Sequence, residues 1–328
     1  MNTINNSAEF DTTDVEDLAR RVAGVVLLPG QQGYAEECAM YNPAVPNTPA
    51  VVVGAGGASD VQAALAFAEA HDLAVTVMNT GHTSAVAGDR TLLITTRRMD
   101  EVTVDASARR ARVGAGVRWQ QVVDAAAPHG LAPLNGSSPL VGVVGYTLGG
   151  GLSATMGRLH GWASDHVTAL DVVTADGIVR HADGETEPEL FWALRGSKSN
   201  LGVVTAIEFE LFPVTQLHGG VLIFPGDHAE AVLRAYADLT AQAPNELTTS
   251  IAFMRLPDLP VFPEPLRGKF TVHVRVSFLG SADDAATLLK ALRAGAPVMI
   301  DTVADMPYTN FAAIYSDPEA RPRSPRAR

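Results

Sequence analysis

The sequence predicts an α+β chain of two domains, the second built on an antiparallel sheet, and three observations point there. Its 328 residues are about twice a common domain length, and 47% are apolar against 18% charged, enough to bury a sizeable core. Short apolar runs alternate with amphipathic stretches as far as Pro213. Beyond Pro213 the order becomes strand, helix, two strands, helix, the pattern of a sheet with helices on one face.

The elements justify themselves in turn. Residues 50–54 read as a buried strand, and Ser59 as the cap of a helix to Ala70 with Val61, Leu65 and Ala68 on one face. Residues 73–78 and 91–95 read as strands, and residues 102–104 and 111–113 as two neighbours. Residues 118–128 are helical, with Trp119, Val122, Val123 and Ala126 at core spacing and Gly130 as the stop. Residues 169–174 and 178–181 flank Asp176-Gly177, a hairpin turn. A short helix at 187–194 and a strand at 202–212 close the first domain. In the second, strands are expected at 219–224, 248–255 and 270–278, with helices at 229–241 and at 281–294, the latter capped by Ser281. The domain boundaries read as an N-terminal segment to residue 40, a domain over 41–213, a partial domain over 214–316, and a tail from 317.

Composition narrows the function. The net charge is −12, and four of the last nine residues are arginine, so the rest is more acidic still. Such a body argues against a nucleic-acid or anionic-membrane partner. No apolar run is long enough for a membrane span, no secretory leader is visible, and a single cysteine, Cys38, excludes an internal disulfide; the cytoplasm is the expected location. The tail from Ala320 onward is rich in Arg and Pro. It reads either as a disordered terminus or as the product of a reading frame lost near Asp317.

Three glycine-bearing stretches are candidates for chemistry. Gly54-Ala-Gly-Gly-Ala-Ser59 sits between a strand and a helix, as a dinucleotide turn would. However, Ser59 stands where the third glycine belongs, and no acid ends the next strand. Asn79-Thr80-Gly81-His82-Thr83-Ser84 follows a strand and offers successive backbone N–H groups, which suit a diphosphate but also an ordinary tight loop. Gly136 and the five glycines at 142, 145, 149, 150 and 151 are too many for a regular element, and fit close backbone approach to a flat or phosphorylated ligand. Other patterns fail. The segment Gly151-Leu-Ser153-Ala-Thr155 lacks the closing glycine of a nucleophile elbow. His160, Asp165 and His166 have no metal-ligand spacing, and His166 reads as a hydrogen-bonded loop histidine.

Together these segments resemble the berberine-bridge-enzyme-like FAD oxidases, within the vanillyl-alcohol-oxidase or p-cresol-methylhydroxylase type of flavin fold. The resemblance rests on the Gly-His loop, on Gly136-Ser-Ser-Pro and the run Val141 to Gly151, on Gly157-Arg-Leu-His-Gly161, Asp165-His-Val, Val173-Thr-Ala-Asp-Gly177 and Glu189-Leu-Phe-Trp-Ala-Leu-Arg-Gly196, and on Gly202-Val-Val-Thr205. It covers Tyr41 to Pro213 strongly and the rest weakly.

The resemblance implies a two-lobed FAD-binding domain, followed by an α+β substrate domain whose antiparallel sheet covers the flavin. It implies FAD bound covalently through His82, and a single link, because Ser138 stands where some members have a linking cysteine. Asn79, Thr80, Gly81, Thr83 and Ser84 belong to the cofactor loop, with Asn79 and Thr80 where members commonly have Arg or Gly. Gly142, Gly145, Gly149 and Gly150 belong to the close-approach stretch. Tyr146 is placed beside the flavin pyrimidine ring as a hydroxyl donor and candidate catalytic residue. His160 and Gly161 are placed near the cofactor, and Val203 and Val204 by its adenine end. The implied reaction is hydride transfer from a small-molecule alcohol, sugar or secondary metabolite to the flavin, with O2 as acceptor. Members continue well past the end of this chain, in a segment that usually supplies the base, which implies a truncated copy. The alternatives are an FAD-binding remnant without turnover, and an NAD(P)-dependent reductase resting on residues 54–59.

Overall fold

The computed structural model describes residues 11–42, 46–83, 87–198 and 201–317. Ser84 and the tail beyond Asp317 lie outside the described residues.

Three sheets organise the chain. The first holds β1 (Val25–Leu27), β2 (Val51–Gly54), β3 (Ala74–Met78) and β4 (Thr91–Thr95), in the order β1-β2-β4-β3. β2 and β3 both pair parallel with β4, while β1 pairs antiparallel with β2. Burial on both faces explains the unbroken apolar runs: all of β2 and all of β4 are buried. The helix Ala58–Ala70 crosses between β2 and β3 and buries Val61, Ala64, Phe67 and Ala68.

The second sheet is antiparallel throughout. It contains β5 (Val102–Asp105), β6 (Arg110–Gly114), β7 (Val167–Val173), β8 (Val179–Asp183) and β9 (Val203–Glu210), in the order β5-β6-β9-β7-β8. One apolar core joins the two lobes, from Val51, Val53, Leu92 and Ile94 on one side to Val113, Leu170, Val172 and Ile207 on the other.

The third sheet lies in the C-terminal part of the chain. β10 (Gln216–Pro225), β11 (Leu247–Arg255) and β12 (Phe270–Phe278) pair antiparallel, and the short strands β13 (Ile300–Asp301) and β14 (Ala304–Pro307) pair with β10. Leu222, Phe224, Val272, Val274 and Val276 form one face, packed with Val232 of the helix Ala229–Gln242 and with Ala285, Leu289 and Leu292 of the helix Ala282–Gly295. Ser281 caps the latter by accepting the Asp284 N–H at 3.2 Å, as its position predicts.

The first domain starts earlier than residue 41. The helix Thr12–Arg21 places Leu18 in the core, and β1 extends the first sheet. The cap expected at Ser59 falls instead on Gly57, and the carboxylate of Asp60 supplies the polar contacts there.

Candidate functional site

Between the two lobes lies a cavity of about 710 Å³. The helix Ala58–Ala70 contributes Leu65, Ala68 and Glu69, and the edge strand β3 contributes Val75, Thr76 and Val77. The opposite wall is Val144, Gly145 and Leu148 from the turn of helix Val143–Thr147, then Val173, Ala175, Val203 and Val204. Asn79, Thr96 and Ala115 form its inner end, and Lys198 also borders it. Val75 and Val77 are 37% and 39% exposed, although they are apolar and sit on a strand. They make physical sense as the wall of a binding cavity.

Local chemistry fixes the loop at the inner end. Gly81 has φ +71°, and a side-chain carbon there would come within 2.7 Å of the Met40 Cα. Only glycine allows that approach and that backbone angle together. The carbonyl of Gly81 then accepts the Tyr41 N–H at 3.1 Å, and the Tyr41 ring stacks on the imidazole of His82. Arg97 holds the base of the loop by donating to the carbonyls of Asn79 at 2.9 Å, Ala39 at 2.8 Å and Glu36 at 2.7 Å. Gly142 packs against Asn79, where a side-chain carbon would stand 2.6 Å from Nδ2.

Electrostatics at the loop favour a neutral imidazole. Burial lowers the His82 pKa below its ordinary value, the charge of Arg118 lowers it further, and Asp317 opposes both. Nδ1 lies 2.8 Å from the Thr80 hydroxyl.

The cavity's features fit a flavin dinucleotide. Asn79 donates through Nδ2 to the Ala115 carbonyl at 3.0 Å, while its buried Oδ1 has no hydrogen-bond partner among the described residues. A buried acceptor calls for a donor, such as a ribityl or ribose hydroxyl. Gly145 borders the cavity, and a side-chain carbon there would meet no protein atom within 4 Å. The position is thus open on the cavity side. The apolar walls suit a flat ring.

Of the residues expected at the cofactor, Asn79, Gly145, Val203 and Val204 line this cavity. Thr83 and Gly149 approach it through Lys198, while Thr80 and His82 pair with each other beside Asn79. Ser138 accepts the N–H of Leu140 at 3.3 Å. Gly150, at φ +102°, packs on the Trp162 ring. The Tyr146 hydroxyl donates to the Leu152 carbonyl at 2.6 Å, so its proton is already committed. Burial raises its pKa, and neighbouring Tyr308 and Tyr315 add to that, so it stays protonated. His160 and Gly161 do not line the cavity: the His160 ring lies 4.0 Å from that of Phe212, and its carbonyl pairs with His166.

The glycine turn at 54–59 is also settled by geometry. The buried carboxylate of Asp60 accepts the N–H groups of Gly56 at 2.8 Å, Ala23 at 2.9 Å and Gly24 at 3.1 Å. The protein's own carboxylate fills the place a nicotinamide dinucleotide's phosphates would need. An acid one helical turn past a glycine run was the available signal. Lys198, Thr96 and Glu69 also escaped the sequence reading. No short motif contains them, and only the fold brings them to one cavity.

Comparison with known proteins agrees with this geometry. Residues 49–183 match the FAD binding domain family. (R)-6-hydroxynicotine oxidase of Paenarthrobacter nicotinovorans is 29% identical over 301 residues, covering 90% of this chain and 64% of the relative. FAD-dependent monooxygenase prx3 of Penicillium roqueforti is 30% identical over 226 residues, 67% of this chain and 44% of the relative. The crystal structure of 6-hydroxy-D-nicotine oxidase from Arthrobacter nicotinovorans superposes with a TM-score of 0.81 at 26% identity, over 89% of this chain and 63% of that one. The carbohydrate oxidase of Microdochium nivale shares the fold with a TM-score of 0.77 at 22% identity, over 94% of this chain and 65% of that one. Residues 49–183 therefore form an FAD binding domain, and the chain is similar over most of its length to FAD-linked oxidases. It spans a little under two thirds of the length of the first two oxidases it matches.

Proposed function

We propose that this protein is an FAD-dependent oxidase of a small organic molecule, an alcohol, sugar or secondary metabolite, with FAD attached through His82 and O2 as the electron acceptor. The observation that carries the reading is the interlobe cavity, with the unpartnered Asn79 Oδ1 at the end where the His82 loop begins. Relatives named as a nicotine oxidase and a carbohydrate oxidase support a small-molecule substrate. The occupied turn at Asp60 speaks against the nicotinamide alternative.

Bound FAD would supply the two-electron chemistry, accepting hydride from a substrate C–H bond. This chain's residues bind and orient. Asn79 would accept a cofactor hydroxyl, Gly145 would admit the cofactor close to the backbone, and Val203 and Val204 with the β3 valines would exclude water from it. His82, kept neutral by burial, presents a nucleophilic nitrogen for attachment.

The test is the intact mass and visible spectrum of the purified full chain after acid denaturation. One FAD of added mass and a yellow pellet are expected from the parent, and a colourless pellet from His82→Ala. Covalent flavin retained in His82→Ala would remove the attachment, and a folded parent that takes up no FAD at all would remove the function.

A further inference from the structure

The cavity is lined by one cation, Lys198, and one acid, Glu69. Lys198 reaches the cavity by a specific backbone route. The helix Pro188–Ser197 departs from helical geometry at Arg195, with ψ 106°, and at Gly196, with φ +91°. Lys198 follows at φ +48°, in the left-handed region that residues with a Cβ rarely adopt. The break redirects the chain from the helix toward the His82 loop.

The side chain spans two segments. Its ammonium donates to the Thr83 hydroxyl at 3.2 Å, and its Cδ lies 3.6 Å from where a side-chain carbon on Gly149 would stand. It therefore connects residues 79–83 to the glycine stretch after Gly145. Thr83 is a neutral partner, and an ammonium has three N–H donors, so two remain for another acceptor. Among the described residues, no ion pair includes Lys198.

Two other cations, Arg97 and Arg90, are already engaged, while Arg118 acts on His82. Arg97 directs its guanidinium to three backbone carbonyls, and Arg90 pairs with Asp72 at 2.9 Å. In a molecule of net charge −12, an approaching diphosphate meets repulsion from the body as a whole. A local cation at the cavity offsets it.

We infer that Lys198 is the positioning cation for the diphosphate bridge of FAD, bonding its oxygens while Thr83 steers the ammonium. The inference rests on the FAD reading above and adds a residue to it. Asn79 Oδ1, an acceptor, is suited to the adjoining hydroxyls and not to the phosphates, so the two residues divide the cofactor between them.

The test measures FAD affinity in the full chain carrying His82→Ala, where binding is reversible, by quenching of flavin fluorescence at low and high salt. Adding Lys198→Met should raise Kd about tenfold at low salt, a difference that narrows as salt screens the charge. Lys198→Arg should restore affinity to within about threefold of the parent, since it keeps the charge. A Lys198→Met Kd within about twofold of its parent at low salt overturns the assignment, because a phosphate contact has charge-assisted strength. So does a loss that Lys198→Arg fails to repair. If neither the parent nor the original chain binds FAD while circular dichroism shows it folded, the FAD reading itself fails and the inference falls with it.

Discussion

The imidazole of His82 lies flat on the phenol of Tyr41, with ring centroids 4.1 Å apart and planes 17° from parallel. Stacking holds one face of the ring, and the Thr80 hydroxyl, 2.8 Å from Nδ1, holds one edge. The free rotation that a loop histidine ordinarily has is thereby restricted, which on the proposed attachment would orient the imidazole before the cofactor arrives.

That arrangement predicts a pH profile. Only the neutral imidazole is a nucleophile, and His82 titrates below its ordinary value of 6.5, chiefly through burial. The neutral form therefore persists into mildly acidic solution. The rate of covalent FAD incorporation into apoprotein should be flat from pH 8 down to the ordinary histidine value, and should fall only below it. Tyr41→Ala exposes the ring and should move the fall upward in pH while slowing attachment. A parent rate that already halves near pH 7 would contradict a lowered pKa.

Gly145 gives a prediction that separates folding from binding. A methyl there meets no protein atom within 4 Å, and alanine is the better helix former. Gly145→Ala should leave apoprotein stability unchanged or raise it by up to about 1 kcal/mol. Gly145→Leu should fold equally well yet load markedly less FAD, because its side chain extends into cofactor space. Thermal melts and the flavin-to-protein absorbance ratio test both halves. Full loading of Gly145→Leu would show that the cofactor does not pass this wall.

Asp60 should be a stability residue without a role in binding. Its carboxylate is 1% exposed and accepts three N–H groups from two segments, residues 23–24 and 56. Asp60→Asn turns an amide donor toward those donors and removes charge-assisted bonds. The expected loss is about 2–4 kcal/mol, read as a lower urea midpoint at constant slope. A midpoint shift equivalent to less than about 0.5 kcal/mol would contradict the geometry.

Much of this fold is legible in the sequence where apolar runs are long enough to carry a period. β4 and β12 fall at residues 91–95 and 270–278, as expected, because each has five or more consecutive pleated positions with clear turn signals around them. The helix Thr12–Arg21 and the three-residue β1 escaped, since a single core leucine and a strand of that length give no periodicity. β13 and β14 escaped for the same reason. The cofactor loop is legible in part, because Gly81 has a sterically enforced role that a Gly-His pair after a strand suggests. The cavity wall is legible at Gly145, Val203 and Val204, and not elsewhere. Leu65, Val75 and Val77 look like core in any window, and only the meeting of two lobes turns them into a binding surface. A glycine run does not show what its tyrosine bonds: the Tyr146 hydroxyl donates to the Leu152 carbonyl six residues on, a contact that only the folded turn creates.

Tyr308 ties the last described segment of the chain to the first domain. Its ring is 3% exposed, and its hydroxyl lies 2.7 Å from Asn135 Oδ1, 2.8 Å from the Pro133 carbonyl and 2.8 Å from the Thr155 hydroxyl. Burial raises its pKa, so it remains a neutral donor at all working pH values. Tyr308→Phe keeps the packing with Phe311 and Ile314 but leaves fully buried Asn135 and Thr155 short of a partner. The cost of such unsatisfied groups is about 1–3 kcal/mol, larger than the hydroxyl's own net contribution, because the partners have no water to turn to. Replacing Asn135 by leucine in the same chain should recover part of that loss, since the acceptor is removed with the donor. Urea unfolding of the single and double variants measures the coupling, and strict additivity of the two substitutions would show that the hydroxyl and the amide do not depend on each other.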